Sequence, residues 1–587
     1  MANEQSIPEK VKGAATTFTV KIDGHAIPEM LQVYAVTITK ETNRIPSAKL
    51  IDIDGEPSKT DFSVSSGTEF VPGKEIEIFA GQQSNEDSVF KGIIVKHGIA
   101  VKKGGRSQLQ IECKDKSFRM TLGRSSAYYV DQKDSEIANT LLGKHKISID
   151  NIENTKKKFP ETVQYDTTDW DFMLARMDVN GKLVFMNDGK ATIKAPDFSG
   201  TPVLTLQYGS TIHECDAEMD ARNQYKSVKA IAWDQGSQDI LKINGQDPSN
   251  IKENGNFSTS ELADVTGVDE IVLRHGGTLS QDELQSWADA CWQKSRMAKI
   301  RGSVSFDGFA GVKPGDLVAL KGLGDRFNGN VFVAAIRHEL SKGGWITIVQ
   351  FGMNPEWFSD QLSPSYQPAN SLLPGIQGLH SGVVSQLEND PEGEDRVLVK
   401  LPLVDLGGNG TWARVATLDA GKKRGSFFRP DRGDEVLVGF LNNDPRKAVI
   451  LGMMNSSKLP AAIQPKDSNK IKGFFFSSEM EIRFNDEDPS MTFQTKSGNK
   501  VIISEKSNAE GITLQDQHGN KIMLNKDGIT LESAKKMILK ASTGDIEIEG
   551  MNVKQMAQAE FKAEGAAGLE VSSTAIAKLK GSLVQIN

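Results

Sequence analysis

Apolar residues toward the C-terminal end fall into short, evenly spaced units: Ile512/Leu514, Ile522/Leu524, Ile529/Leu531, Ile538, Ile546/Ile548, Val553, Phe561, Leu569/Val571, Ile576 and Val584/Ile586. Successive units lie 10, 7, 9, 8, 7, 8, 8, 7 and 8 residues apart. A short fixed period predicts a β-helix or fibre rather than a globular domain. Strand alternation puts about two apolar side chains per repeat on one face. So thin a stripe cannot enclose a core within one chain. Three chains can, each forming one wall of a triangular prism, with Lys521, Glu532, Lys536 and Glu547 facing water and strand edges paired between chains. With strands about 4.8 Å apart, the repeats predict a needle of roughly 50 Å. A single-chain solenoid needs turns of about 20 residues or more. The stretch 556–570 is rich in alanine and has helical propensity, but the period continues through it.

The rest of the chain follows other patterns. Residues 1–16 read as a flexible N-terminus. From 17 to 358, alternating runs such as FTVKID, EIEIFA and SQLQIECKD predict strands. Three helical patterns interrupt them: one from Asp134 or Ser135 to Gly143, one carrying Trp170, Met173, Leu174 and Met177 on its apolar face, and one opened by Ser280 and Glu283 in a capping-box spacing. This region is α+β. Residues 359–379 hold three prolines and no periodicity, and read as a linker. Five short strand patterns at 380–456 then fit a small closed barrel of the OB type. A connector spans 457–490, and the needle 491–587.

Composition narrows the picture. The 587 residues are 25% charged and 38% hydrophobic, with a net charge of −8. No basic footprint for nucleic acid or a membrane surface stands out. Cys113, Cys215 and Cys291 are odd in number and far apart, so no disulfide framework is expected. The N-terminus lacks the apolar core of a signal peptide, and no stretch is long and apolar enough for a membrane helix. Assembly in the cytoplasm without a cleaved signal is expected.

With barrel and needle in view, the chain resembles the VgrG-type spike proteins of contractile injection systems: type VI secretion, phage-tail-like particles and contractile phage baseplates. The resemblance is strongest in the barrel, at the Asp390-Pro391 turn, Arg396-Val397, Trp412, Arg414-Val415, Ala420-Gly421 and the run Gly433, Asp434, Glu435, Val436, Leu437, Val438, Gly439, Phe440. TTDWDFMLARM resembles a helix of the family's N-terminal base, and the segment from VKPGD to GGWIT its last barrel. The sequence departs from the pattern at LPL, where many members have an aromatic, and at DPRKAVILG, which lacks a proline before the final strand.

The resemblance implies a mainly β layout: a base of tandem β-barrels with helical insertions, an OB-fold collar, and an intertwined trimeric triangular β-helix. Two barrels in each of three chains would match a threefold spike to a hexameric inner-tube protein. Baseplate proteins would surround it, and effector cargo could ride on it. A PAAR-type tip protein would dock on Leu583, Val584 and Ile586. The target membrane would be met only transiently, during ejection.

Catalytic chemistry is not expected. No HExxH, CxxC, GxSxG or Walker A pattern is present, and the eight histidines are scattered. No cofactor or metal is implied. His213-Glu214-Cys215 would place Glu214 on the opposite strand face. The acidic pairs Glu479/Glu481 and Asp486/Glu487 read as a solvated face rather than a glycosidase pair. The barrel-to-needle gap is too short for an inserted enzyme domain, and no toxin domain is expected after Asn587. The barrel's basic residues, among them Lys422, Lys423 and Arg424, have few aromatics interleaved, so stacking on nucleic acid is not expected. The rival readings are a trimeric tailspike-like polysaccharide hydrolase and a static baseplate hub that is not ejected.

Overall fold

A computed structural model describes residues 16–586, apart from 29–30, 32, 83–84, 102, 104–105, 235–236, 238, 253, 276–278, 342–343, 362–375 and 406. The expected flexible N-terminus, and most of the expected linker, lie outside the described residues. The chain divides into two compact units, 1–377 with 442–445, and 378–441 with 446–587.

The first unit is built on one 13-stranded sheet. Two β halves with separate cores share it. One core gathers Ile38, Leu50, Ile78, Phe90 and Ile111, and the other Leu206, Val304, Phe306, Val318 and Val349. The halves join where Val33–Glu41 pairs antiparallel with Gly329–Ser341, from Ala335↔Glu41 to Ser341↔Ala35. Alternation is regular over Val36–Glu41 and Ile336–Ser341, so each strand turns one face inward there, while register shifts at Val33/Ala35 and Val333/Ala335 interrupt it upstream.

Helices Asp134–Lys144 and Asp169–Asp178 pack together beside this sheet, burying Ile137, Leu141, Trp170, Met173 and Met177. Thr168 caps the second, its hydroxyl accepting from Asp171 N at 3.0 Å. Helix Gln281–Met297 covers a three-stranded sheet through Leu284, Ala288 and Trp292. Its cap is half the expected box: Ser280 accepts from Glu283 N, while the reciprocal bond is not formed. A further helix, Thr259–Thr266, carries the complete box between Ser258 and Glu261.

One small hairpin, Leu183–Asn187 with Lys190–Lys194, reaches into the seam between the halves. Its two-residue turn, Asp188 (φ 53°) and Gly189 (φ 80°), needs left-handed backbone, which glycine takes at no cost and aspartate tolerates. Gly189 N donates to Asp115 Oδ2 at 2.7 Å, and Lys91 N to Asp188 Oδ1 at 3.1 Å.

The second unit opens with a closed five-stranded barrel: His380–Gln386, Val397–Lys400, Thr411–Val415, Ala448–Met454 and Glu435–Phe440. Val384, Val397, Val399, Ala413, Val436, Val438 and Ile450 fill it. Several of the residues that carry the sequence resemblance hold its turns and strands. Gly433 (φ 95°) turns the chain, and its N–H donates to Val384 O at 2.8 Å. Asp434 Oδ2 accepts from Asp431 N at 2.8 Å. Glu435 begins a strand paired on both sides. Gly439 leaves room for Leu451, and Phe440 meets His380 edge-on at 5.7 Å. Trp412 is half-buried and Arg414 exposed. In the preceding loop, Asp390 gathers the Glu392, Glu394 and Arg396 N–H groups and the Arg396 guanidinium.

Candidate functional site: an unpartnered apolar face

Beyond the barrel lies a seven-stranded antiparallel meander, Ile471–Phe475, Glu481–Asn485, Ser490–Gln494, Lys500–Ser504, Gly511–Gln515, Lys521–Asn525 and Gly528–Glu532. Every strand has five residues, and in most the second and fourth are apolar. The register stacks these into columns: Phe493↔Val501↔Leu514↔Ile522↔Leu531, and Met491↔Ile503↔Ile512↔Leu524↔Ile529. One face is therefore continuously apolar, and none of the described residues covers it. Ile529 is 72% exposed. Phe476, Met480, Ile482, Phe493, Leu514 and Ile522 line a concavity of about 650 Å3 on it. The sheet starts at Ile471, inside the stretch read as a connector.

Turns along each edge are tied to the next turn on the same edge. Glu479 pairs with Lys496, Asn499 Oδ1 accepts from Gln517 N at 3.0 Å, and Asn520 Oδ1 accepts from Ala534 N at 3.1 Å. On the other edge Lys472 pairs with Asp486, and Lys506 with Asp488 at 2.8 Å. Lys472 holds the Asp486 carboxyl below its ordinary range. Of the acidic residues weighed as glycosidase pairs, Glu479, Glu481 and Asp486 thus have basic partners, Glu481 pairing with Arg483. Such exposed pairs are individually worth about 0–1 kcal/mol. Their regular spacing fixes the stacking of turns more than it adds stability.

At Ser533 the character changes. Residues 533–586 contain no helix or strand, and 534–586 are all exposed. Among the described residues, no backbone-to-backbone hydrogen bond joins any two of them. Ile538, Ile546, Ile548, Val553, Phe561, Leu569, Val571 and Ile576 are all exposed, as are Leu583, Val584 and Ile586. Soluble monomers rarely display contiguous apolar surface of more than a few hundred Å2. The eight-residue period is retained here without any strand pairing inside the chain.

Among the described residues, no group of three or more His, Cys, Asp and Glu could hold a metal ion. A polar cleft of about 520 Å3 in the first unit is lined by charges that pair with each other, including Asp178–Lys294 at 2.6 Å and Glu218–Arg301 at 2.9 Å. Glu214 begins a strand, and His213 sits 3.7 Å from Asp307. No described helix is long and apolar enough to cross a membrane.

Three family profiles match. Residues 12–342 match the Alg8 N-terminal domain, 380–454 the type VI secretion system/phage-baseplate injector OB domain, and 490–587 the phage baseplate V C-terminal trimerisation domain. A search of curated proteins gives no match. Among solved structures, the chain is similar to a tail protein from Neisseria meningitidis (16% identity, 59% of this chain and 99% of that one, TM-score 0.43). It is also similar to the E. coli c3393 protein, a component of the type VI secretion system (12%, 74% and 99%, 0.36). A third is the Francisella PdpA–VgrG complex (10%, 90% and 89%, 0.37). By the profile that spans more than half of its length the chain belongs to the Alg8 N-terminal domain family, and with the injector OB domain at 380–454 and the baseplate V trimerisation domain at 490–587 it carries the domains of a VgrG-like spike of phage baseplates and type VI secretion systems.

Proposed function

We propose that three copies of this chain form a central spike that pierces a target envelope when a contractile sheath fires. The observation that carries this reading is the stretch 533–586, which keeps an apolar period yet makes no backbone pairing of its own. Two sibling chains supply both missing partners at once. The predicted needle residues from Ile512 to Ile576 then meet on a common dry axis, and burying each Ile or Leu contributes about 1.5–3 kcal/mol.

The first unit seats a hexameric inner-tube protein through its two β halves, repeated three times. The barrel acts as a collar among baseplate proteins. Leu583, Val584 and Ile586 seat a PAAR-type tip protein, and effector cargo travels with the spike. The protein transmits force and catalyses nothing; the paired charges of its clefts support that reading. Sedimentation of the full-length chain tests the trimer, and imaging of the particle before and after contraction tests ejection. A monomer at micromolar concentration, or a chain retained in the fired particle, contradicts the proposal. Loss of tip-protein binding on removing the last eight residues is expected, and unchanged binding would reject that docking.

A further inference from the structure

We infer that Lys40 and Asn187 join through an intramolecular isopeptide bond, which covalently fastens the small hairpin to the seam of the 13-stranded sheet. Alternation along Val33–Glu41 puts Lys40 on the inward face with Val36 and Ile38, and it is only 4% exposed. Its neighbour across the seam is Ile336, and buried His338 follows two residues on. Lysine is rarely fully buried, because its ammonium loses hydration there. The Lys40 amine lies 2.6 Å from Asn187 Oδ1 and 3.1 Å from Asp188 Oδ1. A nucleophile, an electrophilic amide and a carboxylate able to move protons thus meet at one point, although 147 residues separate Lys40 from Asn187.

The three groups are also held still. Asp115 fixes Gly189, Lys91 N fixes Asp188, and the two-residue turn fixes the Asn187 backbone. Reacting atoms held in near-contact gain effective molarities of about 10^5 M or more over free partners. Burial lowers the Lys40 pKa, opposed in part by the Asp188 charge, and so favours the neutral, nucleophilic amine.

The atoms balance without an oxidant. The Lys40 ammonium passes one proton to the Asp188 carboxylate. The freed amine forms the Nζ–Cγ bond, and the Cγ–Nδ2 bond breaks. The departing nitrogen takes a second proton from Nζ and the first from Asp188, and leaves as ammonium. A buried charge becomes a neutral secondary amide, whose single N–H can still donate to Asp188.

The test is mass spectrometry of the full-length protein after tryptic digestion. The expected product is peptide 22–44, uncut at Lys40, joined to peptide 183–190 with loss of one ammonia. Asp188→Asn keeps a residue that tolerates the turn but removes the proton carrier, and should slow joining by about 100-fold. Lys40→Met should abolish it. Recovery of 22–40 and 183–190 as separate wild-type peptides overturns the inference. So does an ammonia loss confined to peptide 183–190, which signals cyclisation of Asn187 onto its own backbone.

Discussion

Phe428, on a loop of the barrel, stacks on Phe474 of the first shaft strand, with centroids 5.3 Å apart and planes 12° from parallel. Both rings remain partly exposed, so the contact joins two elements without belonging to either core. Stacked pairs couple by about 0.5–1.5 kcal/mol beyond their buried area. A double-mutant cycle with Phe428→Ala and Phe474→Ala should return a coupling within that range in thermal unfolding. Additive losses would mean the rings merely lie side by side.

The shaft face makes a sharper prediction. Ile529→Asp and Ile546→Asp place carboxylates on the proposed axis, each costing several kcal/mol per copy if buried unpaired, about 2–7 kcal/mol for even a neutral polar group. Trimers should lose resistance to heat and to detergent. Thr530→Asp, on the opposite face of the same strand, should be tolerated. Equal effects at 529 and 530 would reject the assigned face.

Asp169 is the centre of a hydrogen-bond network. Its Oδ2 accepts from Lys144 Nζ and His145 Nε2, both at 2.7 Å, and its Oδ1 from Ser125 Oγ at 2.7 Å and Gln164 Nε2 at 2.8 Å. Burial pushes its pKa up, but the bonds from Lys144, Gln164, His145 and Ser125 outweigh it and hold the carboxyl well below the usual range. Asp169→Ala should destabilise the first unit by about 1–3 kcal/mol, because the buried Gln164 amide loses its acceptor while the half-exposed Lys144 returns to water. Chemical denaturation of the purified protein measures this.

His338 gives a pH prediction. Trp345 Nε1, which can only donate, points at His338 Nδ1 from 3.3 Å, so that nitrogen carries no proton. Burial lowers the pKa to about 3. The unfolded chain binds a proton near pH 6.5, which the folded chain refuses until about pH 3. This stability is complete above pH 6.5 and is lost progressively as pH falls toward 3. His338→Gln should flatten the melting temperature across that window. An unchanged acid slope would assign it to carboxylates.

The sequence made some of this legible and left the rest dark, for physical reasons. A repeated period survives in a single sequence, so the barrel strands and Ile512 to Ile586 could be read directly. Ile482/Phe484, Met491/Phe493 and Val501/Ile503 carried the same signal, but spacings of 9, 10 and 11 residues blurred it. Helix Thr259–Thr266 is only eight residues long, too short to show a period. The seam between Ala35–Glu41 and Ala335–Ser341 depends on residues some 300 positions apart, which no local pattern encodes. Nothing in the sequence sets Lys40 apart from the chain's other lysines. Only the fold reveals that it faces inward, beside Asn187.

The boundary at Ser533 has a consequence for synthesis. The strands described upstream all find their pairing partners within the chain. On the proposed trimer the stretch downstream waits for siblings, its apolar side chains open to any sticky neighbour. A cell making this protein therefore faces a timing problem that the sequence cannot solve alone. Subunits translated close together, from one crowded message, would find each other before they find anything else.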